Sequence, residues 1–105
     1  MIKPVDDVLM PPAILEQLAE ECTELGKAAL KLARLYRGEN PTPILEEDAL
    51  ENLREEVADI RVCIRVLERQ GFAFDTIDTE YEKMRRWEKR LHEVELERVA
   101  RLEHP

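Results

Sequence analysis

From Ala13 onward the apolar residues of this chain recur at three- and four-residue steps, and they do so in three separate stretches. Ile14, Leu18, Leu25, Ala28, Leu32 and Tyr36 form the first row, and Leu50, Leu53, Val57, Ile60, Ile64 and Leu67 the second. Ile77, Tyr81, Met84 and Leu91 form the third. This is the period of a helix with one apolar face, not the alternation of a half-buried strand. Aromatic residues make up only 5% and charged residues 38% of the chain, a profile that suits helices and a core completed by self-association. At 105 residues the expectation is one domain spanning 1–105, near the lower end of what builds a solid core alone.

Punctuation divides the chain. Residues 1–11 read as an irregular arm, interrupted by Pro4 and Pro11, and Pro12 suits a first helical turn, where a missing N–H costs nothing. The first helix is expected to end at Gly38, with Arg34 and Arg37 in its last turn. A loop follows to Pro43, with Thr42 as N-cap and Pro43 in the first turn of the next helix. The second helix stops near Gln70-Gly71, and Asp75 or Thr76 caps the third. Alternating charges over residues 93–105 mark a solvated helical extension or frayed tail.

Two acidic motifs lie within these rows, Glu21-Cys22-Thr23-Glu24 and Glu56-Val57-Ala58-Asp59. Residues three apart on a helix are surface neighbours, so each motif offers two adjacent carboxylates. At about 100° per residue, Glu21 falls near the middle of the first apolar stripe and Glu24 at its border. Glu56 borders the Leu53-Ile60-Leu67 face, and Arg54, Arg61 and Arg65 lie on the other side of that helix. If the helices meet, four carboxylates share one partly dry place and cannot hold their charge without a cation. Mg²⁺ suits such an all-oxygen site, with Mn²⁺ as a substitute. The competing reading pairs Glu21 and Asp59 with arginines in buried salt bridges, which give little net stability.

Other chemistries lack their residues. Di-iron bundles need Glu-x-x-His motifs, whereas the two histidines, His92 and His104, lie far along the tail. Zinc lacks its Cys and His cluster. Cys22 and Cys63 have no CxxC spacing and no nearby histidine, so a reduced core role is expected for both, in a cytoplasmic protein. The formal net charge of −8 argues against nucleic acid or an anionic membrane as partner. No apolar run spans a bilayer, and the N-terminus lacks a signal-peptide pattern.

Glu20-Glu21-Cys22-Thr23-Glu24-Leu25, followed by Glu51-Asn52-Leu53-Arg54-Glu55-Glu56-Val57-Ala58-Asp59-Ile60, resembles the MazG-like, all-α nucleoside triphosphate pyrophosphohydrolases, whose signature is ExxE on one helix and ExxD on the next. The resemblance runs from about Leu15 to Leu67, with weaker support around Trp87, and the stretch between the motifs is longer than in many members. It implies Mg²⁺-dependent cleavage of a nucleoside triphosphate between its α and β phosphates, yielding a monophosphate and pyrophosphate. Glu21, Glu24, Glu56 and Asp59 would take the family's metal-ligand positions. Glu24 and Glu56 are the candidates for catalysis, with Glu24 the first choice for orienting or deprotonating the attacking water. The implied role is removal of unwanted nucleotides from the pool.

Around this nucleus, Lys31, Lys83 and Arg86 are candidates for binding phosphate oxygens, each also readable as a solvated or ion-paired side chain. The Gln17 amide is a candidate for reading a base edge. Trp87 fits base stacking or helix packing, and Asn52 a site residue or a surface one. The expected architecture is all-α, an antiparallel helical hairpin plus a third helix. A second copy would complete a four-helix bundle, giving a homodimer or homotetramer. The rival reading is a non-catalytic helical interaction module of the antitoxin-like or regulatory kind.

Overall fold

In a computed structural model, residues 1–39 and 44–104 are described, and among them every regular element is a helix. Four occur in order: α1 (Val5–Val8), α2 (Pro11–Arg37), α3 (Glu46–Arg69) and α4 (Ile77–Glu103). They fall into two compact units, Met1–Phe74 and Asp75–Pro105.

In the first unit α2 and α3 form an antiparallel hairpin. Ile14, near the start of α2, clusters with Cys63, Val66 and Leu67 near the end of α3, and Leu18 packs against them. Leu67 is completely enclosed, a burial that stabilises by roughly 1.5–3 kcal/mol. At the other end Tyr36 donates a hydrogen bond to Glu46 Oε1 at 2.8 Å. Tyr36 was expected on the apolar stripe but is exposed. Its hydroxyl finds its acceptor in the first turn of α3.

Both helices close in the same way. Gly38 adopts φ +70, its N–H bonding Leu35 O while Glu39 N–H bonds Arg34 O. Gly71 adopts φ +102, with the equivalent bonds Gly71 N–H to Glu68 O and Phe72 N–H to Leu67 O. This is the Schellman closure, which needs a residue at positive φ and so favours glycine.

Three expectations about the ends are corrected. The arm is not wholly irregular, because Val5–Val8 forms a single helical turn capped by Pro4. Pro11 and Pro12 both lie inside the start of α2, so the arm stops one residue sooner. Helix α3 opens at Glu46 with Leu45 as N-cap and no side-chain cap. The expected cap Thr42 and first-turn Pro43 lie outside the described residues. Glu46, Glu47 and Asp48 occupy the first turn of α3 instead, where negative charge complements the helix dipole. The arm is tied down by the Arg69–Asp6 ion pair at 3.0 Å and by Gln70 Nε2 donating to Leu9 O at 2.9 Å.

In the second unit α4 runs without a break to Glu103, so the charged stretch from residue 93 is helical and not frayed. None of the residues of α4 is buried. Thr76 is the N-cap, but its hydroxyl donates to Glu80 Oε2 at 2.7 Å and its oxygen accepts from no backbone N–H of the helix. No helix among the described residues is long and apolar enough to cross a membrane.

Candidate metal centre

Heptad spacing explains which acids turn inward. Ala49, Glu56 and Cys63 follow one another at seven-residue intervals on α3, and the outer two are buried. Two turns of helix bring a residue back to nearly the same direction, so Glu56 must face the line between them. On α2 Glu21 follows the buried Ile14 by seven, whereas Asp59, seven before the buried Val66, stays exposed at the edge of that face.

The three acids converge. One carboxylate oxygen from each of Glu21, Glu56 and Asp59 lies within 4.8 Å of the other two. Glu21 and Glu56 are half-buried and Asp59 is exposed. Oxygen ligands on opposite sides of Mg²⁺ stand about 4.2 Å apart, so the span suits one hard divalent ion after small side-chain shifts. Glu56 Oε2 is buried with no hydrogen-bond partner. A buried acceptor left unsatisfied is costly, and a cation is the partner this donor set fits.

Electrostatics record the same crowding. Burial pushes the Glu56 carboxyl above its ordinary value, helped by hydrogen bonding to Glu21 and by the charges of Glu21, Asp59 and Glu24. Burial likewise raises Asp59, followed by the charge of Glu21 and hydrogen bonding to it. Cys63 is raised by burial and then by the charges of Glu21 and Asp59, which holds it as a neutral thiol. No lysine or arginine is ion-paired with Glu21, Glu56 or Asp59 among the described residues. The arginine-clasped alternative is therefore not what these residues form. Arg54, Arg61 and Arg65 instead line a wider groove of about 470 Å³ with Leu53, Val57, Ala58 and Val62. That groove contains no carboxylate, so the acid chemistry lies elsewhere.

Glu24 departs from the expected foursome. It is exposed and lies 3.3 Å from Lys27 Nζ, outside the close triad. It still faces a cleft of about 180 Å³ shared with Lys27, Ala28, Lys31, Ala49, Asn52 and Glu56. Lys31 thus lines one cleft with Glu24 and Glu56. Lys27, which spacing alone did not single out, lines the same cleft, and its i,i+3 relation to Glu24 was the available signal. Asn52 is there too, seven residues above nothing more distinctive than Leu45. Gln17 Nε2 donates to Glu21 Oε1 at 2.8 Å, so its amide orients an acid of the triad.

Lys83 and Arg86 lie on α4, lining a shallow recess with Trp87 and Arg90, and Arg86 Nε is 3.8 Å from Glu82 Oε1. The cysteines are both free; Cys63 is buried, whereas Cys22 is exposed and has no core role. No protein-family model, curated protein or solved structure matches the chain.

Proposed function

We propose that this chain is a Mg²⁺-dependent nucleoside triphosphate pyrophosphohydrolase of the MazG-like kind, converting (d)NTP to (d)NMP and pyrophosphate. One observation carries the reading: three carboxylates from two helices meet within 4.8 Å without, among the described residues, a positive side chain paired to any of them. Like charges held this close favour a divalent cation over either protonation or solvent. Bound there, Mg²⁺ or Mn²⁺ would supply charge neutralisation and polarisation for phosphate oxygens.

The chain's own residues divide the remaining work. Glu21, Glu56 and Asp59 hold the ion, and Gln17 fixes the orientation of Glu21. Glu24, exposed on the flank of the cleft, orients water and accepts its proton. Lys27, Lys31 and Asn52, in the same cleft, offer donors to phosphate oxygens. Phosphoryl transfer depends chiefly on positioning and charge stabilisation, which this arrangement supplies without a nucleophilic side chain. With a formal net charge of −8, the protein repels a triphosphate until a cation intervenes. The first unit buries few apolar side chains, Ile14, Leu32, Ala49, Cys63, Val66 and Leu67. That thin core supports association of two copies into a four-helix bundle.

The test is incubation with a panel of NTPs and dNTPs plus Mg²⁺. Pyrophosphate, not orthophosphate, should appear, and Glu56→Gln should abolish its release. Absence of pyrophosphate from every substrate, or release unaffected by Glu56→Gln, overturns the proposal. A non-catalytic interaction module is favoured by a different observation, the row of exposed apolar side chains on α4. Under that reading no substrate turns over, and Mg²⁺ leaves the melting temperature unchanged.

A further inference from the structure

The exposed apolar residues of α4 are spaced as a coiled-coil seam. With Ile77, Met84 and Leu91 at a positions, the d positions are Glu80, Trp87 and Val94. Five of these six side chains are apolar, and all five are exposed. The next a and d positions are Arg98 and Arg101, so the seam ends after Val94. A seam repeating every 3.5 residues is the pattern that seats one helix against another of the same kind.

The flanking charges decide the orientation. Lys83 and Arg90 occupy g positions, and Glu88 and Glu95 occupy e positions. In a parallel, in-register pair each g residue faces the e residue five positions later on the other strand. Lys83 then faces Glu88 of the second copy, and Arg90 faces its Glu95; both contacts join opposite charges. An antiparallel pair sets g against g and e against e, which would place Lys83 and Arg90 together and Glu88 and Glu95 together. Lys83, Glu88 and Arg90 have no ion-pair partner within the chain among the described residues, whereas Glu95 accepts from Arg98 at 2.6 Å. Three of the four flanking charges thus remain available for a second copy.

We propose that α4 pairs with α4 of a second copy as a parallel, in-register coiled coil over residues 77–95. This goes beyond the catalytic reading and does not depend on it. Two changes of the full-length chain test it. Reversing the g charges in K83E/R90E puts four like-charge contacts into each dimer, and sedimentation equilibrium at low salt should show dimerisation about a hundredfold weaker. Reversing both sides in K83E/R90E/E88K/E95R should restore it. Separately, Glu80→Cys in a Cys22→Ser background should give a covalent dimer on mild oxidation, because a d residue meets its own counterpart only in a parallel pair. Association unchanged by K83E/R90E, failure of the fourfold variant to restore it, or a reactive Cys at 80 that never cross-links would each overturn the proposal. The first of these results would assign the seam to another covering surface.

Discussion

Addition of Mg²⁺ to the metal-free protein should raise its melting temperature by an amount that can be set out in advance. A ligand that binds only the folded state stabilises it by RT ln(1 + [L]/Kd), about 2.7 kcal/mol at a hundred times Kd. The hairpin that carries the triad belongs to the Met1–Phe74 unit. For domains of that size each kcal/mol moves the midpoint by about 4–8 °C, so the shift at saturation should be about 10–20 °C. Glu56→Gln removes one of the three converging carboxylates that would hold the ion. The variant should therefore melt higher than wild type in EDTA, since a neutral amide relieves the repulsion around the buried Glu56 Oε2. If affinity falls a hundredfold, the same Mg²⁺ concentration leaves RT ln 2, about 0.4 kcal/mol, or a shift of about 2–3 °C. Circular dichroism melts at 222 nm, with EDTA and with a Mg²⁺ series, read both effects. A wild-type midpoint indifferent to Mg²⁺ and Mn²⁺, or equal shifts in wild type and Glu56→Gln, would refute the reasoning.

Three further outcomes follow from the same structure. In EDTA the melting advantage of Glu56→Gln should depend on pH: Glu56 and Asp59 are raised in the fold, so the folded state keeps protons that the unfolded chain has released. Their contribution is fully present below the ordinary carboxylate values of 4.5 and 3.8 and is lost as pH rises through the raised ones. The advantage should accordingly be small near pH 4 and grow toward pH 7; a constant difference across that range contradicts it. Leu67→Ala, at the one completely enclosed large side chain among the described residues, should cost about 2–5 kcal/mol in urea unfolding, and a loss below 1 kcal/mol would mean the cluster is not the core. Gly38→Ala should cost about 1–2 kcal/mol through left-handed backbone strain alone, because nothing lies within 4 Å of an added Cβ; an unchanged urea midpoint would exclude that closure.

Much of the hairpin was legible because its signals are local. Gly38 behind Arg34 and Arg37, and Gly71 behind Gln70, mark helix ends through backbone geometry that only a few residues adopt. The inward turn of Glu21 and Glu56 was legible because helical period ties each to apolar residues two turns away. Glu24 was harder. Its spacing from Glu21 makes it a neighbour on the same helix, but Lys27, three residues on, holds it at 3.3 Å on the flank. The helical turn Val5–Val8 is too short to display a period. Its anchoring by Arg69 and Gln70 joins residues more than sixty positions apart, which no local pattern encodes. For Cys22 the missing CxxC spacing and missing histidine only excluded other roles; its direction on the helix is set by the wheel and leaves it exposed.

Ala49 and Cys63, seven residues either side of Glu56, are both enclosed. Glu56 and Asp59 therefore sit on a span of α3 anchored at both ends by enclosed apolar residues, and Glu21 meets them from α2. Separation between the oxygens becomes a dimension imposed by neighbouring hydrocarbon, much as the jaws of a caliper are set by its screw. A bulkier side chain at position 49 would widen the gap two turns away and retune which ionic radius fits, while every ligand stayed in place.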